Sequence, residues 1–204
     1  MLAAMLHGIV LAFGLILPLG AQNVFVFNQG ASQPNFRSVL PVVLTASLCD
    51  TLLILLSILG VSVVVLTIPV LQTTFFIIGL VFLLYMGWVV WKSKPSKLNK
   101  KAEALSSKKQ IMFAMSVSLL NPHAILDTVG VIGTSSLSYT GTEKLTFTAA
   151  TILISWIWFF SLAIVGKKVG DIDTDGRLIN VINKVSAIMI WIVALYIAFQ
   201  LYKM

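Results

Sequence analysis

Apolar runs of about 20 residues, the length a helix needs to cross a hydrocarbon core of about 30 Å, recur from end to end of this 204-residue chain. Peptide groups at membrane depth find no water, so such runs close their hydrogen bonds internally as helices. Bounded by charge, they fall at about 3–27, 38–65, 69–91, 111–136, 144–166 and 178–202. The expected fold is an all-α integral membrane protein of six transmembrane helices. It forms one transporter domain over 1–204, with a three-helix half over 1–91, a basic loop over 92–110 and a second three-helix half over 111–204. Pro41 and Pro69 suit first helical turns, where a missing N–H costs least. Gly141 and "GDIDTDG" (170–176) read as loops. The run from Leu2 lacks a basic leader and is long enough to remain, so the first span is expected to be its own insertion signal.

Charge supplies the orientation. A net charge of +7 would suggest nucleic acid in a soluble protein, but in a chain only 10% charged its location matters more. Seven of the 14 basic residues, Lys92, Lys94, Lys97, Lys100, Lys101, Lys108 and Lys109, share one loop with Glu103 as its sole acid. By the positive-inside rule that loop is cytoplasmic. Counting spans then puts both termini outside and the loops of Arg37 and of Lys167, Lys168 and Arg177 inside. Trp88, Trp91 and Tyr202 end spans as interfacial aromatics do. The lysine loop is expected to lie on anionic lipid, with no nucleic-acid partner. Cys49 is the only cysteine, which excludes a paired-thiol relay or a multi-cysteine metal site within one chain. No cofactor is expected, and no nucleophile with a positioned base is recognisable, so the chain does not read as an enzyme.

Two spans carry interruptions. "LPLGAQNVF" (17–25) places Pro18, Gly20, Gln22 and Asn23 inside the first, and "LLNPHAILD" (119–127) places Asn121, Pro122, His123 and Asp127 inside the fourth. With Pro18 aligned on Pro122, each proline stands eleven residues beyond a membrane boundary (His7, Ile111), and Asn23 and Asp127 follow five residues later. The halves therefore read as a 3+3 inverted repeat with helices 1 and 4 broken. A proline frees carbonyls on one side and starts a helix on the other; Asn121 before Pro122 has the form of an N-cap. Packing kinks would use the same residues, but paired breaks followed by an amide and an acid point to a polar cavity. Freed carbonyls suit an ammonium and helix N-termini a carboxylate, which together describe an amino acid zwitterion.

Of the seven acidic residues, only Asp50 and Asp127 fall within spans. Thirteen residues separate Arg37 from Asp50, roughly 20 Å of helix, which brings Asp50 to the bilayer centre. A carboxylate there costs about 2.5–3.5 kcal/mol on insertion scales, so such residues usually face an ion or substrate path. His123 could shuttle protons, donate to a carboxylate or cap freed carbonyls. His7 lies near the outer interface and has no assigned role. Trp156 and Trp158 are mid-span, either core or an aromatic cavity wall facing a cation. Gly79 and Gly87 permit close helix packing or dimerisation.

These segments resemble a known family. "LPLGAQNVFVFNQG" (17–30), "SLCDTLLI" (47–54), "FLLYMGW" (82–88), "SLLNPHAILDTVGVIG" (118–133), "WFF" (158–160) and "MIWIVALY" (189–196) are similar, in order, to the lysine and arginine exporters of the LysE family. Gly-Ala-Gln-Asn and Asn-Pro-His-x-x-x-Asp are the specific elements. Where other exporters of the superfamily carry a Pro-Gly-Pro-like turn, this chain has Pro18-Leu19-Gly20-Ala21-Gln22-Asn23. The resemblance implies a multi-pass exporter of L-lysine or L-arginine in the cytoplasmic membrane, coupled to protons or potential and working as a homodimer. By position, Gln22, Asn23, Asp50, Asn121, His123 and Asp127 would be its substrate site, with Pro18, Gly20 and Pro122 as helix breaks. Two other readings stay open: export of a neutral amino acid or a divalent metal, for which one interior histidine and two separated aspartates are thin coordination, and a non-transporting assembly subunit whose buried polar groups only join helices.

Overall fold

The computed structural model of the chain describes residues 1–17, 20–60, 69–93, 105–121, 124–125, 128–173 and 175–203. Among them every regular element is helical. They are α1 (Leu2–Ile16), α2 (Ala21–Ser32), a 3₁₀ turn (Phe36–Ser38), α3 (Leu40–Ile58), α4 (Pro69–Lys92), α5 (Ser107–Leu119), a π-helical turn (Thr128–Gly133), a helical turn (Thr134–Ser136), α6 (Gly141–Ile172) and α7 (Arg177–Lys203). Three helices, α3, α6 and α7, are each long and apolar enough to cross a membrane, and α1 with α2 passes as a pair bent by 79°. α4 adds a shorter apolar stretch, Phe76–Lys92. The chain is a membrane protein built of helices.

Several expected boundaries move. The first span is two helices, and the fourth is interrupted after Leu119, with helix again at 124–125 and a π-helical turn over Thr128–Gly133. The second ends at Ile58, and Gly60 takes φ +77 beyond it; residues 61–65 of the expected span lie outside the described residues. Pro41 does occupy the first turn of α3. Gly141, expected in a loop, turns the chain into α6 at φ +52. Of the loop expected at 170–176, residues 170–172 belong to the last turn of α6. The reason is packing: Gly170 presses against the carbonyl of Ala31, which holds that turn helical.

α6 is the spine on which the broken pair is laid. Its 32 residues give about 48 Å of helix, more than a hydrocarbon core. α1 follows its first half: the Met1 ammonium pairs with Glu143 at 2.7 Å, and a Cβ on Gly8 would meet the Phe147 carbonyl oxygen at 2.8 Å. α2 follows its second half, where added methyls on Gly30 and Gly166 would collide with the carbonyls of Ala163 and Phe27. Small residues let the two backbones touch, which in lipid replaces hydrophobic burial as the source of association.

A polar knot closes the end of the molecule where α2 finishes. Gln33 donates to the Leu105 carbonyl at 3.0 Å, Gln110 to the carbonyls of Ser38 (3.0 Å) and Leu105 (2.9 Å), and Lys167 to the Gln33 carbonyl at 3.2 Å. These bonds bring the Arg37 turn, the start of α5 and the end of α6 together. At this end too, the Lys184 ammonium of α7 donates to the Trp91 carbonyl at 2.6 Å and sits 3.8 Å from the Trp91 ring, capping α4. Gly87 receives the Trp191 indole, so this glycine serves packing within one chain. The α4–α7 pair meets the other helices along α2, where Ala21 and Val24 pack with Leu83, Met86, Ala187 and Ile190.

Gly166→Leu should overpack the α2–α6 contact by about 1–3 kcal/mol, lowering Tm in detergent by roughly 2–10 °C for a chain of this size. Gly14→Ala, at a helical glycine with no atom in the way, should hold or raise Tm. Thermal unfolding of both purified variants checks the contrast.

Candidate functional site: a cavity at the helix break

The junction of α1 and α2 opens onto a cavity of about 280 Å³, near the lower end of the roughly 300–1,000 Å³ of small-ligand pockets. Its two walls differ in chemistry. Polar side chains come from one side: Gln22 and Asn23 of α2, Asp50 of α3, Asn121, Thr128, and Thr151 and Ser155 of α6. The facing wall is apolar, with Leu83 of α4 and Met189, Ile190, Ile192 and Val193 of α7.

The break is held open by side chains that replace its lost backbone bonds. α1 ends at Ile16, whose carbonyl cannot be reached by a continuing helix. Asn23, 5% exposed, donates its Nδ2 to that carbonyl at 2.6 Å and accepts at Oδ1 from the Trp158 indole N–H at 3.3 Å. Phe13 stands edge-on to Trp158, with ring centroids 6.4 Å apart, so the bracket is packed on its outer side. α2 starts at Gly20 in extended conformation with no side-chain cap. Gly20, Ala21 and Gln22 line the cavity, which brings the positive end of the α2 dipole to its edge. The Gln22 Nε2 is buried with no hydrogen-bond partner among the described residues. A buried donor left in that state costs about 1–3 kcal/mol, which a bound acceptor would recover.

Asp50 faces this donor set from α3 and accepts a short hydrogen bond from the Ser155 hydroxyl. Ser155 lies 14 residues beyond Gly141 and 17 before Ile172, about 21 and 26 Å along α6. The carboxyl therefore meets α6 near the midpoint of that helix. One residue on, Trp156 donates to the Thr51 hydroxyl at 3.0 Å, repeating the contact in register. At the second interruption, α5 has ended and the Asn121 carbonyl accepts from the Ile125 N–H at 3.2 Å, as an N-cap carbonyl does. Thr128 donates to the Ala124 carbonyl at 2.6 Å and opens the π-helical turn, an irregularity common at functional sites.

Of the residues the sequence singles out, Gly20, Gln22, Asn23, Asp50 and Asn121 meet at this one cavity. Pro18, Pro122, His123 and Asp127 lie outside the described residues. Trp156 and Trp158 do not line the cavity. Trp156 is engaged with Thr51 and Phe160, and Trp158 acts on the site through Asn23. The aromatic wall is instead Phe159, on one stripe of α6 with Thr151 and Ser155. Sequence reading misses that stripe because a lone hydroxyl in an apolar helix can satisfy itself on the preceding turn, as Thr151 does on the Phe147 carbonyl at 2.9 Å. Among the described residues no three of His, Cys, Asp and Glu are grouped to hold a metal ion.

A family model described as LysE type translocator matches residues 13–201. The chain belongs to the LysE family. Its place there makes it a transporter and not an enzyme. It is 56% identical over 199 residues to the "Putative amino-acid transporter YisU" of Bacillus subtilis (strain 168), covering 98% of this chain and 90% of that protein. It is 33% identical over 202 residues to the "Arginine exporter protein ArgO" of Pectobacterium carotovorum subsp. carotovorum (strain PC1), covering 97% and 98%. The protein of that name from Escherichia coli O157:H7 is 33% identical over 196 residues, covering 94% and 92%. No solved structure matches the chain.

In this LysE family member the Asn23 bracket is testable without any ligand. Trp158→Phe keeps the ring and drops one bond, an expected loss of about 0.5–1.5 kcal/mol. Asn23→Leu strands both the Ile16 carbonyl and the Trp158 N–H, an expected loss of about 2–4 kcal/mol. The double variant should lose less than the sum, because the two share a partner. Unfolding curves of the three proteins decide whether the coupling exists.

Proposed function

We propose that this chain exports a basic L-amino acid, arginine or lysine, across the cytoplasmic membrane in exchange for protons. The observation that carries the reading is the pairing of opposite chemistries on one cavity. Asp50 is an acceptor for a cationic group, while the start of α2 with the unpartnered Gln22 amide is a donor set for a carboxylate. Asn121, and with it His123 and Asp127 of the same segment, completes the proposed substrate site. The apolar wall of α4 and α7 accommodates an aliphatic stem. Relatives named as arginine exporters, aligned along nearly the whole chain, favour the same cargo.

The proposed architecture is one transporter domain of six spans in a 3+3 inverted repeat, with basic loops inside and both termini outside. In its favour, α1 and α2 run alongside α6 in one direction, as first and fifth spans would, and interruptions of both halves border the same cavity. A homodimer is carried over from the family resemblance alone. Energetics favour the coupling. Moving one positive charge outward against 100 mV costs roughly 2.3 kcal/mol, so uphill export of a cation needs a cation moving in. With Asp50 contested by proton and substrate, protonation from outside discharges the amino acid. One-for-one exchange is electroneutral and uses only the pH difference.

A second reading, export of a neutral amino acid, draws on one observation: among the described residues Asp50 is the single carboxylate on the cavity, enough for an α-ammonium, and the opposite wall is apolar. Counterflow of labelled arginine, lysine and leucine in proteoliposomes separates the two. Saturable arginine or lysine flux, faster with acid on the side of release, is expected. Asp50→Asn should weaken apparent affinity by ~30-fold or more, since removing one partner of a buried charged contact costs about 2–5 kcal/mol. Leucine flux alone would establish the second reading, and no flux of any of the three from folded protein would end both.

A further inference from the structure

Beyond the cavity, a second group of buried polar atoms lies between α2 and α7. Asn28 donates its Nδ2 to the Asn183 Oδ1 at 2.7 Å. Asn183 is 1% exposed and Ser186 0%. Two oxygens here, the Asn28 Oδ1 and the Ser186 Oγ, are buried with no hydrogen-bond partner among the described residues. Residues 183, 186 and 190 recur at helical spacing along one stripe of α7. That stripe is pinned at both ends, by Asn183 on α2 and by Ile190, which lines the cavity. Asn28 is five residues past Asn23 and Asn183 six before Met189, so the pair sits about 8–9 Å from the cavity. The displacement is toward the end that carries Arg37, Lys167, Lys168 and Arg177.

The packing makes this seam the weak boundary of the molecule. α2 is bound to α6 backbone to backbone through Gly30, Gly166 and Gly170, whereas the contacts described between α2 and α7 are the Asn28–Asn183 bond and an apolar cluster in which Ala21 and Val24 join Ala187 and Ile190. α7 is fastened to α4 by Trp191 on Gly87 and by Lys184 on Trp91. Among the described residues, tilting an α4–α7 pair away from α2 breaks one side-chain hydrogen bond and parts the apolar cluster shared with Ala21, Val24 and Val117. Asn and Ser between membrane helices ordinarily hydrogen-bond across them, so two buried oxygens left without a bond here call for another partner.

We propose that the α2–α7 seam is the inner gate of the transporter, latched by Asn28–Asn183, and that its opening exposes a subsite for the ammonium or guanidinium of an incoming substrate. The available partners are oxygen acceptors, Asn28 Oδ1, Asn183 Oδ1 and Ser186 Oγ, which match a multi-donor cation. The subsite hands the cation on to Asp50. This inference rests on the export reading for its cargo, but the gate is read out separately.

The test uses Ser186→Cys in a Cys49→Ala background, reconstituted in one orientation, with a membrane-impermeant cationic methanethiosulfonate applied to either face. Modification from the face of the basic loops, slowed about fivefold or more by saturating arginine, is the expected result. Adding Asn183→Ala should speed modification about fivefold, the size of one lost hydrogen bond. A thiol that stays unreacted from that face while the same vesicles carry arginine, or that reacts only from the opposite face, overturns the gate. Modification that arginine does not slow, in protein that transports arginine, overturns the subsite, and an unchanged rate with Asn183→Ala overturns the latch. Absence of arginine and lysine flux in the unmutated protein is a failure of the export reading, whereas gated modification in that protein would still support the gate.

Discussion

A peptide group inside a bilayer has no water to fall back on, and every departure from a continuous helix in this chain is organised around that fact. Where α1 stops, the Ile16 carbonyl would be orphaned at depth. The Asn23 side chain, from the first turn of the next helix, takes its place as donor. The bond does two things at once. It makes the break tolerable, and it holds the start of α2 open toward the cavity instead of letting it continue α1. Trp158 then secures Asn23 from α6, so the geometry of the break is set by a helix that is distant in sequence.

The same constraint explains why α6 is the organising element. Association in lipid gains little from burying apolar surface, because lipid tails are as apolar as leucine. Close approach of backbones is the alternative, and glycines at 8, 30, 166 and 170 allow it along both halves of the broken pair. Once α1 and α2 are laid on α6, the register of α3 follows: Asp50 meets Ser155 and Thr51 meets Trp156, two neighbouring contacts that a shift of one residue would break. Among the described glycines none brings the backbone of α4 or α7 against this core. These two helices present apolar side chains to the cavity and are joined to it mainly through α2, which is the physical basis for assigning the mobile wall to them.

The cavity joins these two parts. Its polar face belongs to the glycine-packed core and its apolar face to the α4–α7 pair. A substrate that bridges the faces has contacts that depend on their separation, and a ligand shifts a conformational equilibrium only through such differential contacts. The proposed coupling of protons to cargo needs nothing more elaborate than a carboxyl contested by both at that junction.

Much of this was legible in the chain alone, because the decisive quantities are local and one-dimensional. Apolar run length declares membrane helices, lysine placement suggests their direction, and the residues around Pro18 and Pro122 mark interruptions, since the cost of broken backbone at depth makes them conspicuous. Asp50 announced itself for the same reason: few residues are so expensive within an apolar span. What the sequence could not supply is what meets across helices. Ser155 and Thr151 look like ordinary hydroxyls in an apolar helix until α3 is placed beside them, and of the two tryptophans that could be core or cavity wall, Trp158 holds Asn23 while Trp156 packs on Thr51 and Phe160. Gly170 reads as a loop residue until its contact with Ala31 makes it the last turn of a helix. Whether one side chain serves as wall, bracket or core depends on helix rotation and register, and these are decided by close packing between segments more than a hundred residues apart, a relation no local pattern encodes.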